Sequence, residues 1–169
     1  MPIIKMCSNT YDQISDVANL ITYVLNPEKQ TSYIYGSGGL YLYQDMELTA
    51  RQFADIAYYY GKNNGSLVHH MIVSYPYLEG QITPQVVEKA LLQVFRVELG
   101  GFPYIYAMHE NTLKPHFHII CGSVNAVTGR KYKNKNSTLY EIAQSFSHYT
   151  YYTDKNGKKC RVPYNVVFE

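Results

Sequence analysis

"FPYIYAMHENTLKPHFHIICGSV", residues 102–124, holds two apolar runs, 102–109 and 115–124, joined by a short polar turn. Two such runs with so brief a connection read as a β-hairpin. On a strand, residues two apart share a face, roughly 7 Å from one another. His116 and His118 therefore point one way, and Phe117, Ile119 and Cys121 the other. His109 ends the first run, and paired strands lie about 4.8 Å apart. The hairpin can thus bring His109, His116 and His118 to one point. Three neutral imidazoles form an open metal site that leaves positions for water or substrate. They do not neutralise the ion, which suits a Lewis acid facing an anionic substrate. Imidazole ligands favour Mn, Co, Ni or Zn over Mg. The competing reading is a histidine pair that only hydrogen-bonds on a sheet face.

Outward from the hairpin, "TPQVVEKALLQVFRVELGG" (83–101) is the clearest helix, with the stripe Val87, Ala90, Leu91, Val94 and Phe95. Thr83 can cap it, Pro84 suits its first turn and Gly100-Gly101 can close it. "YDQISDVANLITYVLN" (11–26) is an earlier helix, with Ile14, Val17, Ala18, Ile21 and Leu25 on one stripe. Asn26-Pro27 ends it, because the residue before proline avoids the α region. "TARQFADIAYYYG" (49–61) is a further helix with Thr49 as cap and Gly61 as stop, and "STLYEIAQSFSHY" (137–149) is the last. "PIIKMCS" (2–8) and "SLVHHMIVSY" (66–75) read as strands, the second apolar enough to be central. "YIYGSGGLYLY" (33–43) reads as a loop or short edge hairpin, and "CRVPYNVVF" (160–168) as a final strand. This mixed order favours an α+β fold, a central antiparallel sheet with helices packed on it, over a doubly wound parallel one.

The chain has 169 residues, 46% apolar and 17% charged. That length suits one domain, residues 1–169, with a full hydrophobic core and no need of staples. No apolar run approaches the roughly 18–20 residues of a membrane span. "MPIIKMCSNTYDQ" lacks the apolar stretch and cleavage site of a secretory signal. Cys7, Cys121 and Cys160 cannot all pair with one another and form no CxxC, as in a reduced cytoplasmic protein. The net charge of +2 is mild, but "GRKYKNK" (129–135) and "DKNGKKCR" (154–161) concentrate basic residues in two late segments. These are either solvated loops or a phosphate-contacting rim. Nineteen tyrosines with no tryptophan supply flat faces on which bases can stack, though most must serve ordinary packing.

His69 and His70 are adjacent, so they face opposite sides of a strand and cannot pair on one metal. Packing is their simpler role, and a hydrogen bond to a metal ligand the alternative. His148 reads as a surface residue. Tyr23 lies about 180° around the first helix from Ile14, on the side of Asp12, Asp16 and Asn19. A tyrosine so placed is either a surface residue or a nucleophile.

Four segments together resemble the relaxase/mobilisation nuclease family, a branch of the HUH single-strand DNA endonucleases. "YVLNPEKQ" (23–30) is similar to its tyrosine motif, and "HHMIVSYPYLEGQITPQ" (69–85) to its central strand and following helix start. "HENTLKPHFH" (109–118) is similar to its histidine motif, and "SVNAVTGRKY" (123–132), with Asn125 and Thr128-Gly129-Arg130, to the segment after it. The resemblance implies Tyr23 as nucleophile, with His109, His116 and His118 holding a divalent metal, Mn²⁺ or Mg²⁺ ahead of Zn²⁺, Co²⁺ or Ni²⁺. It implies nicking of single-stranded DNA at a transfer origin through a 5′-phosphotyrosine, with auxiliary relaxosome proteins as partners. Lys29, Arg130, Lys131 and Lys133 are then candidate phosphate contacts. Two departures stand out. Asn111 replaces an aspartate common in the family, for which Glu110 could substitute, and Gln30 replaces a threonine. Within the same class, a rolling-circle replication initiator or a transposase is the nearest alternative, but there the tyrosine usually follows the histidines. A non-catalytic single-strand binder and a three-histidine hydrolase are the alternatives outside it.

Overall fold

The computed structural model describes residues 2–74 and 82–168. Among them, six strands form one sheet in the order β2-β4-β5-β3-β1-β8. The strands are β1 (Ile3–Met6), β2 (Tyr35–Gly38), β3 (Val68–Ser74), β4 (Tyr104–His109), β5 (His116–Gly122) and β8 (Asn165–Val167). Every pairing is antiparallel except β1 with β8. Helices α1 (Ile14–Val24) and α2 (Met46–Tyr59) cover one face, and α3 (Pro84–Glu98) and α4 (Asn136–Tyr149) the other. The expected α+β fold with a central antiparallel sheet is the one observed.

Strand alternation produces two cores. Ile105, Ala107 and Ile120 pack with Val17, Ile21 and Phe53 beneath α1 and α2. Met108, Phe117 and Ile119 pack with Leu91, Val94 and Phe146 beneath α3 and α4. β3 is central and the hairpin β4–β5 lies beside it, so the most apolar strands have neighbours on both sides.

Several boundaries differ from expectation for local reasons. α1 starts at Ile14, not at residue 11, because Tyr11 is tied to the approach to β3. Its N–H donates to Ser66 Oγ and its carbonyl accepts from Leu67 N–H. α2 begins three residues before Thr49, since the Asp45 carboxylate caps it by accepting from Glu47 and Leu48 N–H. Thr49 is instead fully buried, and its hydroxyl accepts from Tyr43 N–H. α3 starts as expected at Thr83-Pro84 but ends at Glu98. Residues 33–43 supply one edge strand and no hairpin. Gly36 and Gly38 face Tyr106 and Tyr104 of β4, whose rings lie where a Cβ on either glycine would be. The expected last strand, 160–168, is split around Pro163, which has no N–H for a ladder. β7 (Lys159–Arg161) pairs with β6 (Tyr151–Thr153) in a separate ribbon, while β8 joins the main sheet. The expected end of the central strand at Tyr75, and residues 75–81 of the 69–85 resemblance, lie outside the described residues.

Candidate metal centre and nucleophile

The hairpin register sets His109 opposite His116, and Ala107 opposite His118. All three imidazoles therefore emerge on the α1/α2 face at one end of β4 and β5. Their ligand atoms lie within 4.8 Å of one another. His116 Nε2 is 3.0 Å from His118 Nε2. Two nitrogens each about 2.1 Å from one ion stand roughly 3.0–3.4 Å apart, so this spacing fits a shared cation.

Each ring is oriented by a bond from its other nitrogen. His109 Nε2–H donates to the Val24 carbonyl at 2.8 Å, which leaves Nδ1 free to ligate an ion. That carbonyl lies in the last turn of α1, where helix carbonyls have no intrahelical partner. His116 Nδ1–H donates to the Lys114 carbonyl at 2.8 Å, leaving Nε2. His118 Nδ1 lies 2.8 Å from His70 Nε2, again leaving Nε2. Burial, then the neighbouring histidines, pull the His118 pKa down to about 2. Burial likewise holds His109 below the usual imidazole range. Both rings are thus neutral, the form that ligates metals.

Tyr23 closes the site. Its ring stands edge-on to His109 and His118, with centroids 5.5 and 5.3 Å away. It is 44% exposed, so its outer edge is open to a ligand. α1 places it there because Val17, Leu20, Ile21 and Val24 turn inward and leave position 23 on the helix flank above the histidines. Lys29 follows in a 3₁₀ turn, Pro27–Lys29, capped by the Asn26 side chain. Its Nζ lies 3.5 Å from the centroid of the Tyr23 ring. The chain after that turn is clamped to the histidine hairpin. The Glu110 carboxylate accepts from Thr31 N–H, Ser32 N–H and Ser32 Oγ–H. Glu110 is thereby occupied as a loop anchor, and Asn111 is exposed.

The remaining candidates lie elsewhere. Arg130, Lys131 and Lys133 follow the far end of β5, about 20 Å along the strand from His116. They line a cavity of about 440 Å³ with Tyr132, Thr128 and Asn125. Lys131 Nζ donates to the Asn64 carbonyl. Asn125 is a latch within this loop: its Nδ2 donates to the Gly100 carbonyl, and its Oδ1 accepts from Val127 and Thr128 N–H. His69 packs against Tyr132 on the opposite face of the sheet. His70 takes the alternative position, against His118 of the candidate metal site, and Tyr11 Oη lies 3.4 Å from its Nδ1. Tyr11 carries no sequence signal for this, since only the docking of the chain before α1 brings it there.

The family model described as relaxase, MobA/VirD2-like, nuclease domain, matches residues 23–150 of this chain. The match begins at Tyr23 and spans the three histidines. The protein rlx of Staphylococcus aureus is 25% identical over 101 residues, which cover 60% of this chain and 30% of that protein. The chain belongs to the MobA/VirD2-like relaxase nuclease family.

Proposed function

We propose that this relaxase nuclease domain nicks single-stranded DNA by tyrosine transesterification. The juxtaposition of the Tyr23 ring with His109 and His118 carries the reading. His109 Nδ1, His116 Nε2 and His118 Nε2 would hold the divalent cation, Mn²⁺ or Mg²⁺ first, with Zn²⁺, Co²⁺ and Ni²⁺ as the other candidates. When bound, such an ion neutralises charge on the scissile phosphate.

Tyr23 Oη attacks phosphorus in line. An Oη–P bond forms as the P–O3′ bond breaks. The tyrosine proton leaves and the 3′ oxygen takes one up, so the products are a 5′-phosphotyrosine and a free 3′-hydroxyl. One phosphodiester replaces another, and rejoining needs no external energy source. Lys29 holds the face of the Tyr23 ring and places positive charge where the strand passes. Arg130, Lys131 and Lys133 would contact phosphates well away from the nick. The substrate in this reading is single-stranded DNA at a transfer origin, with auxiliary relaxosome proteins as further partners.

The test uses labelled oligonucleotides tiling the DNA beside the gene, incubated with protein and Mn²⁺ and resolved on a denaturing gel. The expected result is a protein-sized labelled band that disappears with EDTA and with Tyr23→Phe. Cleavage without an adduct would instead identify a hydrolase that uses water, and binding with neither would identify a non-catalytic reader.

A further inference from the structure

Residues 151–161, the ribbon of β6 and β7, carry four cations, Lys155, Lys158, Lys159 and Arg161, against one acid, Asp154. The formal net charge of the whole chain is only +2. The ribbon's register sorts its side chains onto two faces. Tyr152 and Cys160 stand opposite one another on the inner face, and Tyr152 packs on the core beneath α3 and α4. Tyr151 opposite Arg161, and Thr153 opposite Lys159, form the outer face. Across that face Lys159 Nζ lies 3.6 Å from the centroid of the Tyr151 ring.

The tip of the ribbon is a closed turn. Asp154 N–H donates to the Lys158 carbonyl, and Gly157 N–H donates to the Asp154 carbonyl. The Asp154 carboxylate accepts from Asn156 and Lys158 N–H, so the one acid is occupied within the turn. All four cations are exposed, and none forms an ion pair among the described residues. Like charges held this close repel one another, and an anionic partner relieves that repulsion.

Sheet register places the root of the ribbon at the histidine end of the molecule. Val162, directly after β7, is buried, and its N–H donates to the Thr150 carbonyl. Asn165 opens β8 opposite Ile3, Ile3 N–H donates to Ser74 Oγ, and Ser74 stands opposite His116. Asn165 is thus three strand spacings, about 14 Å, from His116. Arg161 comes four residues earlier, a reach of at most about 14 Å. The ribbon root packs on the α3/α4 side and the histidines on the α1/α2 side, so a strand joining them crosses the end of the sheet.

We infer that the outer face of this ribbon holds phosphates of the single DNA strand a few nucleotides from the nick. Lys155, Lys158, Lys159 and Arg161 supply the charge, and the closed turn keeps them together. The inference rests on the nuclease reading of the histidine site.

Fluorescein-labelled dT20 is titrated with the full chain in EDTA at a series of salt concentrations, and affinity is read by anisotropy. Two pairs of substitutions are made separately, K155Q with K158Q and K159Q with R161Q, so that one stands if the other fails to fold by circular dichroism. Each pair is expected to reduce the slope of log affinity against log salt by about 1.4, the share of two single-strand phosphate contacts. At about 0.1 M salt the affinity should fall about 10- to 30-fold. K89Q with R96Q, which removes the same charge from the exposed face of α3, should leave the slope unchanged. Wild-type slopes in both ribbon pairs, or an equal loss in the α3 pair, overturn the inference. So does a ribbon pair that keeps the dT20 slope but loses binding to phosphatidylserine vesicles, which would assign the ribbon to a membrane surface. A Tyr23 adduct with unchanged slopes overturns the ribbon contact alone. Ribbon-dependent slopes without an adduct overturn the nuclease reading alone.

Discussion

His70 Nε2 stands 2.8 Å from His118 Nδ1, across the β3–β5 pairing. For His118 to ligate through Nε2, its Nδ1 carries the proton and donates it to His70. His70 then carries its own proton on Nδ1, facing Tyr11. This contact fixes the tautomer and the tilt of one candidate ligand, a role usually filled by a carboxylate or carbonyl. His70→Leu is expected to weaken Mn²⁺ binding about 10- to 100-fold, read by isothermal titration calorimetry. Tyr11→Phe, one bond further out, should weaken it less. Unchanged Mn²⁺ affinity in His70→Leu would show that His118 needs no such partner.

The fate of His70 illustrates what the sequence made legible. Strand periodicity alone put His69 and His70 on opposite faces and His116 with His118 on one, and the register agrees. It could not say which of His69 and His70 faced the three-histidine cluster, because that depends on which side of the sheet α1 covers. The hairpin and α3 were readable because apolar spacing and, in α3, the Thr83 cap agree locally. Thr49 misled because it is a good cap by residue type, while Asp45 takes the role and Thr49 is needed inside. β2 was obscured because its glycines depend on Tyr104 and Tyr106, about 70 residues away in sequence. Lys29 and the 130–133 cluster read alike as basic residues, and only the fold separates them by the length of β5.

The ammonium of Lys29 over the Tyr23 ring links charge to the orientation of the proposed nucleophile. Lys29→Met is expected to slow adduct formation about 10- to 100-fold even with saturating DNA. It should also reduce the slope of log affinity against log salt for single-stranded DNA by about 0.7, one phosphate contact's worth. Mn²⁺ affinity should stay within about twofold. A full adduct rate with only the salt slope altered would reduce Lys29 to a phosphate contact.

Glu110 joins the loop after Lys29 to the strand end that carries His109 through three side-chain hydrogen bonds, and its own N–H donates to the Lys29 carbonyl. The side-chain bonds are exposed, so Glu110→Ala should lower stability by only about 1 kcal/mol. The adduct rate should fall about tenfold, because the loop after Lys29 keeps only the Glu110 N–H bond to the Lys29 carbonyl and loses its side-chain anchor. Glu110→Gln keeps one acceptor oxygen and should lie between the two. Stopped-time adduct assays at saturating Mn²⁺ separate this from a metal defect, and an alanine variant with wild-type rate would show that the turn holds itself.

His69 lies on the other face of the sheet, packed against Tyr132 with ring centroids 4.8 Å apart. Burial, with Lys131 close by, lowers its pKa from 6.5 to about 4. Between those values the unfolded chain binds a proton that the folded chain refuses. Its contribution is therefore complete above about pH 6.5 and is lost as pH falls toward 4. The loss from this one group between pH 6.5 and 4.5 is on the order of 2 kcal/mol. His69→Phe keeps the ring on Tyr132 and removes the titration. Urea unfolding in EDTA across that range should show a drop in stability that is smaller in the variant by about that amount. Parallel pH curves for the two proteins would mean that His69 takes up its proton in the folded state as readily as in the unfolded one.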